Sequence, residues 1–329
     1  MFTENLPEPA CREGRIQPLF SIRFQAFQAP GAYNSFMQIA ITGSSGFIGA
    51  ALVRRAVEQG HQVVALVRES SQRDHIEDLV SRFVVGTHDE PSARAALLEG
   101  TDVVVHNSFD WTAMKDFSRH VQGNLVGSLD FLKEAGDRHF IYMSSIAVHH
   151  FMHDRWDGVI DESHPGRPGN DYGALKAAIE AHMWSANAST GQPVTAIRPC
   201  GVYGIDPRRN RSIGWPFVER IRRGEAFERK GGGKFVHVDD VAAATIAAVD
   251  NPAASPAVYN LVDCYARWSD WAHVIADRLD VEIEIDDSSP PAPRNMFDTS
   301  ATQTELGVPM NRGFDGISRH IDDMIALGA

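Results

Sequence analysis

The sequence predicts an α/β protein, a doubly wound parallel sheet with a smaller, mixed C-terminal lobe. Two observations carry this expectation. Short apolar runs alternate with helical patterns from residue 38 to residue 198, as in strand–crossover–strand units that bury a sheet on both faces. A glycine-rich turn, TGSSGFIG at 42–49, closes the first strand and opens the first helix. That is the context in which such a turn binds phosphate.

Residues 38–42 form a short apolar strand ending in that turn. Helical periodicity follows over 47–59, and Gly60 ends it. The run 61–68 reads as a second strand. Further buried strands fall at 83–85 and 102–106, with a helix over 91–98 between them. A helix over 124–135 leads to a strand at 139–143, and a helix over 172–187 leads to a strand at 194–198. Beyond Pro199 the pattern is mixed. Helices are expected at 213–223 and 239–250, a last sheet strand at 258–262, and helices at 269–279 and 316–327. SSPPAP at 288–293 is a loop. Residues 37–203, rejoined by 237–262, are therefore expected to form the sheet domain. Residues 204–236 and 263–329 would form the lobe, with a substrate cleft between. Residues 1–36 have mixed charge, early prolines and no signal-peptide pattern. They read as a flexible extension or an over-called start.

A net charge of -12 argues against nucleic acid, whose phosphates need basic patches. RRNR at 208–211 reads as a solvated loop. No apolar run reaches the ~20 residues of a membrane helix, so no membrane partner is expected. Cys11, Cys200 and Cys264 are scattered, odd in number and without metal spacing. A reducing, cytoplasmic compartment without a disulfide framework follows. His149, His150, His153 and Asp154 sit in an apparent loop without a helical i, i+4 pair, so no metal is expected.

The chemistry lies in DYGALK, where Tyr172 and Lys176 stand four apart on one helix face. A free tyrosine, with a pKa near ~10, is a poor base at neutral pH. A neighbouring ammonium favours the phenolate. Lowering that pKa by about three units takes roughly 4 kcal/mol, which a lysine plus a positive nicotinamide ring could supply. With Ser145 upstream in IYMSSIAV, the order glycine turn, Ser, Tyr, Lys reads as a proton-transfer site beside a hydride-transfer cofactor. In the turn, Gly43 permits the tight bend and Gly46 lets backbone approach a pyrophosphate. Gly49 lets the helix pack close to the sheet, and the N–H groups of Phe47 and Ile48 would hold the phosphates. Arg68 ends the second strand, with Ser70 and Ser71 behind it. An arginine there accommodates a 2′-phosphate, whereas an acid binds the ribose hydroxyl. NADP is therefore expected, and Glu69 keeps NAD open.

From Met37 to the C-terminus the chain resembles the extended short-chain dehydrogenase/reductase family, also called the NAD-dependent epimerase/dehydratase family. TGSSGFIG, DVVVH, SSIAV, YGALK, RPCGVYG and FVHVDDVA carry the likeness. The resemblance implies a Rossmann-type domain, a small substrate lobe and a homodimer built through a four-helix bundle. It implies Tyr172 as general acid/base, with Lys176 lowering its pKa and binding the nicotinamide ribose. Ser145 would hydrogen-bond the reacting oxygen, and Asn124 would support the site from the preceding helix. Pro199 and Val202 match positions lining the nicotinamide. Ser45, Thr87, His88 and Asn107 stand at further cofactor positions. Some residues depart from the pattern. His106, Asn107, Ser108 and Phe109 replace the frequent HLAA, Thr87 replaces an acid that meets the adenine, and His149 replaces a tyrosine.

Two departures concern the substrate. Gly201 in RPCG stands where nucleotide-sugar members often carry asparagine. Gly233 and Lys234 stand where they often place an arginine that grips the pyrophosphate. A diphosphate needs fixed donors. RPxGxYG also looks more like the hydroxysteroid-dehydrogenase and flavonol-reductase branches. The expected activity is hydride transfer between the nicotinamide cofactor and a carbonyl or secondary alcohol of a small molecule. Phe109, Trp111, Phe151 and Trp156 could line its apolar pocket. The alternative is an NAD-dependent nucleotide-sugar epimerase or dehydratase with recycled cofactor. The dehydratase version is less favoured, because Ile146 and Ala147 follow Ser145 where it wants an acid/base pair.

Overall fold

The computed structural model describes residues 36–150 and 158–328. All but Phe36 of the expected leader at 1–36, together with Phe151, His153, Asp154 and Trp156, lies outside the described residues. In chain order the strands are β1 (Gln38–Thr42), β2 (Gln62–Val67), β3 (Arg82–Val85), β4 (Val103–His106), β5 (His139–Met143) and β6 (Val159–Ile160). They continue with β7 (Val194–Pro199), β8 (Gly201–Tyr203), β9 (Gly232–His237), β10 (Ala257–Leu261), β11 (Cys264–Arg267) and β12 (Met296–Phe297). The helices are α1 (Phe47–Glu58), α2 (Pro91–Leu98), α3 (Phe117–His120), α4 (Gly127–Ala135) and α5 (Asp171–Thr190). After them come α6 (Trp215–Arg222), α7 (Val238–Ala247), α8 (Trp268–Leu279), α9 (Ser300–Glu305) and α10 (Gly313–Ala326).

Seven strands form one sheet in the order β10-β7-β5-β4-β1-β2-β3, and every neighbouring pair is parallel. Alternation sorts the apolar runs. Ile39, Ile41, Val63, Ala65, Val103 and Val105 face one core with residues of α1 and α7. Ala40, Val64, Leu66, Val104, Phe140 and Tyr142 face the other with residues of α2, α4 and α5. Successive strand side chains point to opposite faces, and both faces are covered here, so these strands read as unbroken apolar runs. The doubly wound α/β expectation is met.

β8, β9 and β11 form a three-stranded mixed sheet, and β6 and β12 a two-stranded one. Tyr203, Trp215, Phe217, Phe235, Trp271 and Ile317 belong to a separate core there. None of these short strands was anticipated, nor was α9, because two to six residues carry too little periodicity. The helix expected over 124–135 begins earlier. Asp116 accepts a bond from Arg119 N and starts α3, which passes through a π-helical stretch, Val121–Val126, into α4. The helix expected from 213 starts at Trp215, with Pro216 in its first turn and Gly214 at φ 92 before it. The helix expected over 239–250 is shorter, and Asp250 beyond it turns to φ 54.

β1 is followed on one side by β2 and flanked on the other by β4. Strand order reverses at that point, so a crevice opens beyond the carboxyl ends of β1 and β4. The site is built there.

Several histidines are buried neutral in this frame. Burial holds His106 well below its ordinary range, and brings His139 and His320 down to about 4. Unfolded histidine titrates near ~6.5, so below that pH the unfolded chain binds protons that the folded chain refuses. Stability should fall as pH drops from about 6.5 toward 4, by up to ~1.4 kcal/mol per pH unit for each such histidine. Urea melts at pH 7.5, 6 and 5 should show a steadily falling midpoint; a flat profile would refute this account.

Candidate active site

β1 delivers Gly43 at φ 66, and Gly46 N donates to Gly43 O at 3.0 Å. The first helical bond of α1 runs from Ala50 N to Gly46 O at 2.8 Å. The N–H groups of Phe47, Ile48 and Gly49 therefore have no intrahelical acceptor. Gly46 caps with no side chain, and no acid stands in the first turn. Such an end favours an anion. A Cβ on Gly49 would lie 2.0 Å from Gly43 O, so only glycine lets α1 sit this close to the turn. Ser45 is half-buried in the turn. Arg68 is exposed where β2 ends. Its backbone closes a turn with Ser71, the Ser71 hydroxyl accepting from Arg68 N at 3.1 Å. These groups fit a dinucleotide: donors for its phosphates at α1, and an exposed guanidinium at the neighbouring strand end.

The end of β4 is tied to β1 through one hydroxyl. Thr42 Oγ1 accepts from Asn107 N and Ser108 N, each at 2.9 Å. With both lone pairs used, its proton goes to His106 Nδ1, also at 2.9 Å. His106 Nε2–H then donates to Ser128 Oγ at 2.8 Å, and Ser128 donates to Asn124 O at 2.6 Å. The network assigns His106 a single neutral tautomer. The Asn107 side chain lies against Gly43. His88 donates from Nε2 to Gly123 O at 3.1 Å and accepts from Ser108 Oγ at 3.0 Å. Both ring nitrogens of His88 are thus committed within the protein. Thr87, beside it, is half-buried.

α5 begins where the Asn170 side chain accepts from Gly173 N at 2.8 Å. A Cβ on Gly173 would fall 2.2 Å from Ala147 O, so the helix start packs tightly on the turn after Ser145. That approach brings Ser145, Tyr172 and Lys176 together. The Ser145 hydroxyl lies beside the Tyr172 phenol; its Oγ accepts from Ala147 N at 3.1 Å and lies 3.5 Å from Pro199 O. Buried Lys176 donates to Met143 O at 2.6 Å and stands 5.7 Å from the centre of the Tyr172 ring. Burial draws Lys176 down to about 7 against the pull of Glu180. Burial also pushes the Tyr172 phenol above its ordinary range, and the neighbouring Ser145 hydroxyl only partly opposes this. The lowered tyrosine expected from the sequence is therefore not a property of these side chains alone: desolvation outweighs the neighbouring Ser145 hydroxyl.

Asn124 hydrogen-bonds to Asp110 and His120. Its Oδ1 accepts from Asp110 N at 2.7 Å, and its Nδ2 donates to Asp110 O at 3.0 Å and to His120 Nδ1 at 3.0 Å. It holds the loop that carries Phe109 and Trp111. Phe109 meets the Tyr172 ring edge-on at 5.1 Å, and Trp111 stacks on it at 5.1 Å and 24°. Trp111 is 62% exposed. Pro199 is buried at the end of β7, and Val202 is half-buried in β8 opposite Val236. Among the described residues no group of three or more His, Cys, Asp or Glu could hold a metal ion.

Sequence reasoning missed the layer beneath. Glu180 and Arg198 are both buried and form a fork, Nε to Oε1 at 2.9 Å and Nη2 to Oε2 at 2.5 Å. The Ser144 hydroxyl also donates to Glu180. Arg198 Nη1 donates to His149 Nε2 at 2.9 Å, so His149 is packing rather than a cleft ligand. Removing one partner of such a buried pair typically costs about 3–5 kcal/mol. The available signal was a carboxylate four residues after Lys176, inside an otherwise apolar stripe.

Thr42→Val keeps the shape but leaves the N–H groups of Asn107 and Ser108 without their acceptor. We expect a loss of roughly 2–6 kcal/mol in stability, from about 1–3 kcal/mol for each of the two groups left unsatisfied. Chemical denaturation measures it, and a wild-type midpoint would remove Thr42 from this role.

The model of the NAD dependent epimerase/dehydratase family matches residues 39–261. Among curated proteins, the chain is 29% identical over 216 residues to a putative dihydroflavonol 4-reductase of Synechocystis sp., covering 62% of this chain and 60% of that one. It is 30% identical over 175 residues to a 2-alkyl-3-oxoalkanoate reductase of Stenotrophomonas maltophilia, covering 51% of this chain and 52% of that one. The aligned part thus spans between 52% and 60% of the length of these relatives. Among solved structures, UDP-glucose 4-epimerase of Thermotoga maritima with UDP-glucose superposes with a TM-score of 0.73 at 21% identity, over 88% of this chain and 99% of that one. The Thermus thermophilus UDP-glucose 4-epimerase with NAD gives 0.72 at 21% identity, over 89% and 100%. At that identity the likeness concerns the fold. No described helix is long and apolar enough to cross a membrane.

Proposed function

The chain belongs to the NAD dependent epimerase/dehydratase family, and on that premise we propose that it is an NADP-preferring oxidoreductase interconverting a carbonyl and a secondary alcohol on a small molecule. One observation carries the reading. The Tyr172 phenol lies beside Ser145 and is walled by Phe109 and Trp111, at the crevice where α1 offers N–H groups without an intrahelical acceptor. A bound nicotinamide dinucleotide supplies or accepts the hydride. Burial keeps Tyr172 protonated at neutral pH, so it serves as proton donor to a carbonyl oxygen. Ser145 donates a second hydrogen bond to that oxygen. Lys176, held on Met143 O, stabilises the phenolate left behind. Glu180 and Arg198 hold the helix and strands that present these groups.

Similarity to the two reductases above supports reduction of a carbonyl. Arg68 supports NADP, because its exposed guanidinium has no ion pair among the described residues. Trp184, 43% exposed on α5, supports a homodimer through that helix, which sedimentation of the purified chain would show. Residence in a reducing cytoplasm agrees with free Cys200 and Cys264; cell fractionation would test it.

Denaturing the purified protein and identifying the released nucleotide tests the reading directly. NADP, or none, is expected. Near-stoichiometric NAD would overturn it in favour of a nucleotide-sugar epimerase that recycles its cofactor. Tyr172→Phe should lower ketone reduction by at least about 10²-fold while NADPH binding, followed by fluorescence, stays close to wild type. Unchanged turnover would remove Tyr172 as the proton donor. Arg68→Ala should weaken NADPH about tenfold, or ~1.4 kcal/mol, with little effect on NADH. Equal effects on both cofactors would contradict the 2′-phosphate role.

A further inference from the structure

We infer that Lys234 is the counter-ion for a substrate carboxylate, so that this site takes an oxo acid rather than a neutral ketone. The inference deepens the oxidoreductase reading above and rests on it.

Lys234 is a half-buried residue of β9. Its ammonium stands 5.7 Å over the ring of Phe297. Phe297 packs with Ile160 and Val262, and Ile146 and Cys200 pack against that cluster. Ile146 directly follows Ser145, and Cys200 directly follows Pro199; Ser145 Oγ and Pro199 O are 3.5 Å apart. The apolar patch under the ammonium is therefore continuous with the hydroxyl that would hold the reacting oxygen.

Among the described residues, several other buried or half-buried cations have a fixed acceptor. Arg198 has Glu180, Arg94 has Glu134, Arg267 has Asp270, Arg312 has Asp240, and Lys176 has Met143 O. Lys234 has no ion pair or hydrogen bond among the described residues. The nearby carboxylate of Asp263 already accepts from Gly313 N at 2.9 Å. Burial draws the Lys234 ammonium below its ordinary range. An anion delivered by a ligand would offset that desolvation.

The charge suits one carboxylate better than a diphosphate. An ammonium is a compact point charge, and a diphosphate wants several fixed donors. The neighbouring positions supply none: Gly201 and Gly233 have no side chain, and a Cβ on Gly201 would lie 2.9 Å from Lys234 O. The Phe297 patch suits an alkyl body beside the acid.

The test uses the full-length protein with NADPH, and compares 3-oxooctanoate with its methyl ester in wild type, Lys234→Met and Lys234→Arg. Wild type should prefer the acid by about tenfold or more in kcat/KM. Lys234→Met should bring the acid down to the level of the ester, mainly through KM, and Lys234→Arg should restore part of the preference. Acid and ester used alike by wild type would overturn the inference while leaving the oxidoreductase reading intact. Calorimetric titration of octanoate provides a readout independent of turnover. Binding that is lost in Lys234→Met supports the carboxylate site even if neither ketone is reduced, a result that would count against the oxidoreductase reading alone. Octanoate binding equally well, or equally badly, to both forms overturns the inference. Matching melting temperatures exclude misfolding of the variants.

Discussion

The hydroxyl of Thr42 holds together the part of the molecule on which everything else depends. It accepts two backbone N–H groups from the loop after β4 and donates to His106, so the ends of β1 and β4 share one three-way junction. The crevice opens there because strand order reverses there. A side chain that offered only one of these roles would leave a buried polar group unpaired, with a penalty comparable to a lost hydrogen bond. From this junction the glycine turn projects toward α1, and the loop carrying Phe109 and Trp111 projects toward Tyr172.

A second organising effect is desolvation. The same burial that raises the Tyr172 phenol lowers the Lys176 ammonium toward neutrality. At neutral pH Tyr172 therefore keeps its proton. Glu180 moderates Lys176 from below, while its fork with Arg198 and its bond from Ser144 fasten α5 to β5 and β7. Position and electrostatics are thus set by one buried network, and Ser145 inherits its place from it.

The sequence by itself determined the doubly wound sheet, because alternation within each strand and glycine at fixed offsets are local properties. Ile39 and Ala40 must face opposite cores. Gly49 must lack a Cβ to approach Gly43. The spacing from Tyr172 to Lys176 likewise sets one helix face without reference to the rest of the chain. Tertiary structure alone decided what those residues experience. The direction of the Tyr172 shift depends on how much water is excluded, which no spacing records. The engagement of Asn124 with Asp110, the commitment of both His88 nitrogens and the pairing of Glu180 with Arg198 join positions that only packing brings together. The short strands β8, β9 and β11 were equally illegible, since strands of this length take their stability from partners distant in sequence rather than from their own pattern.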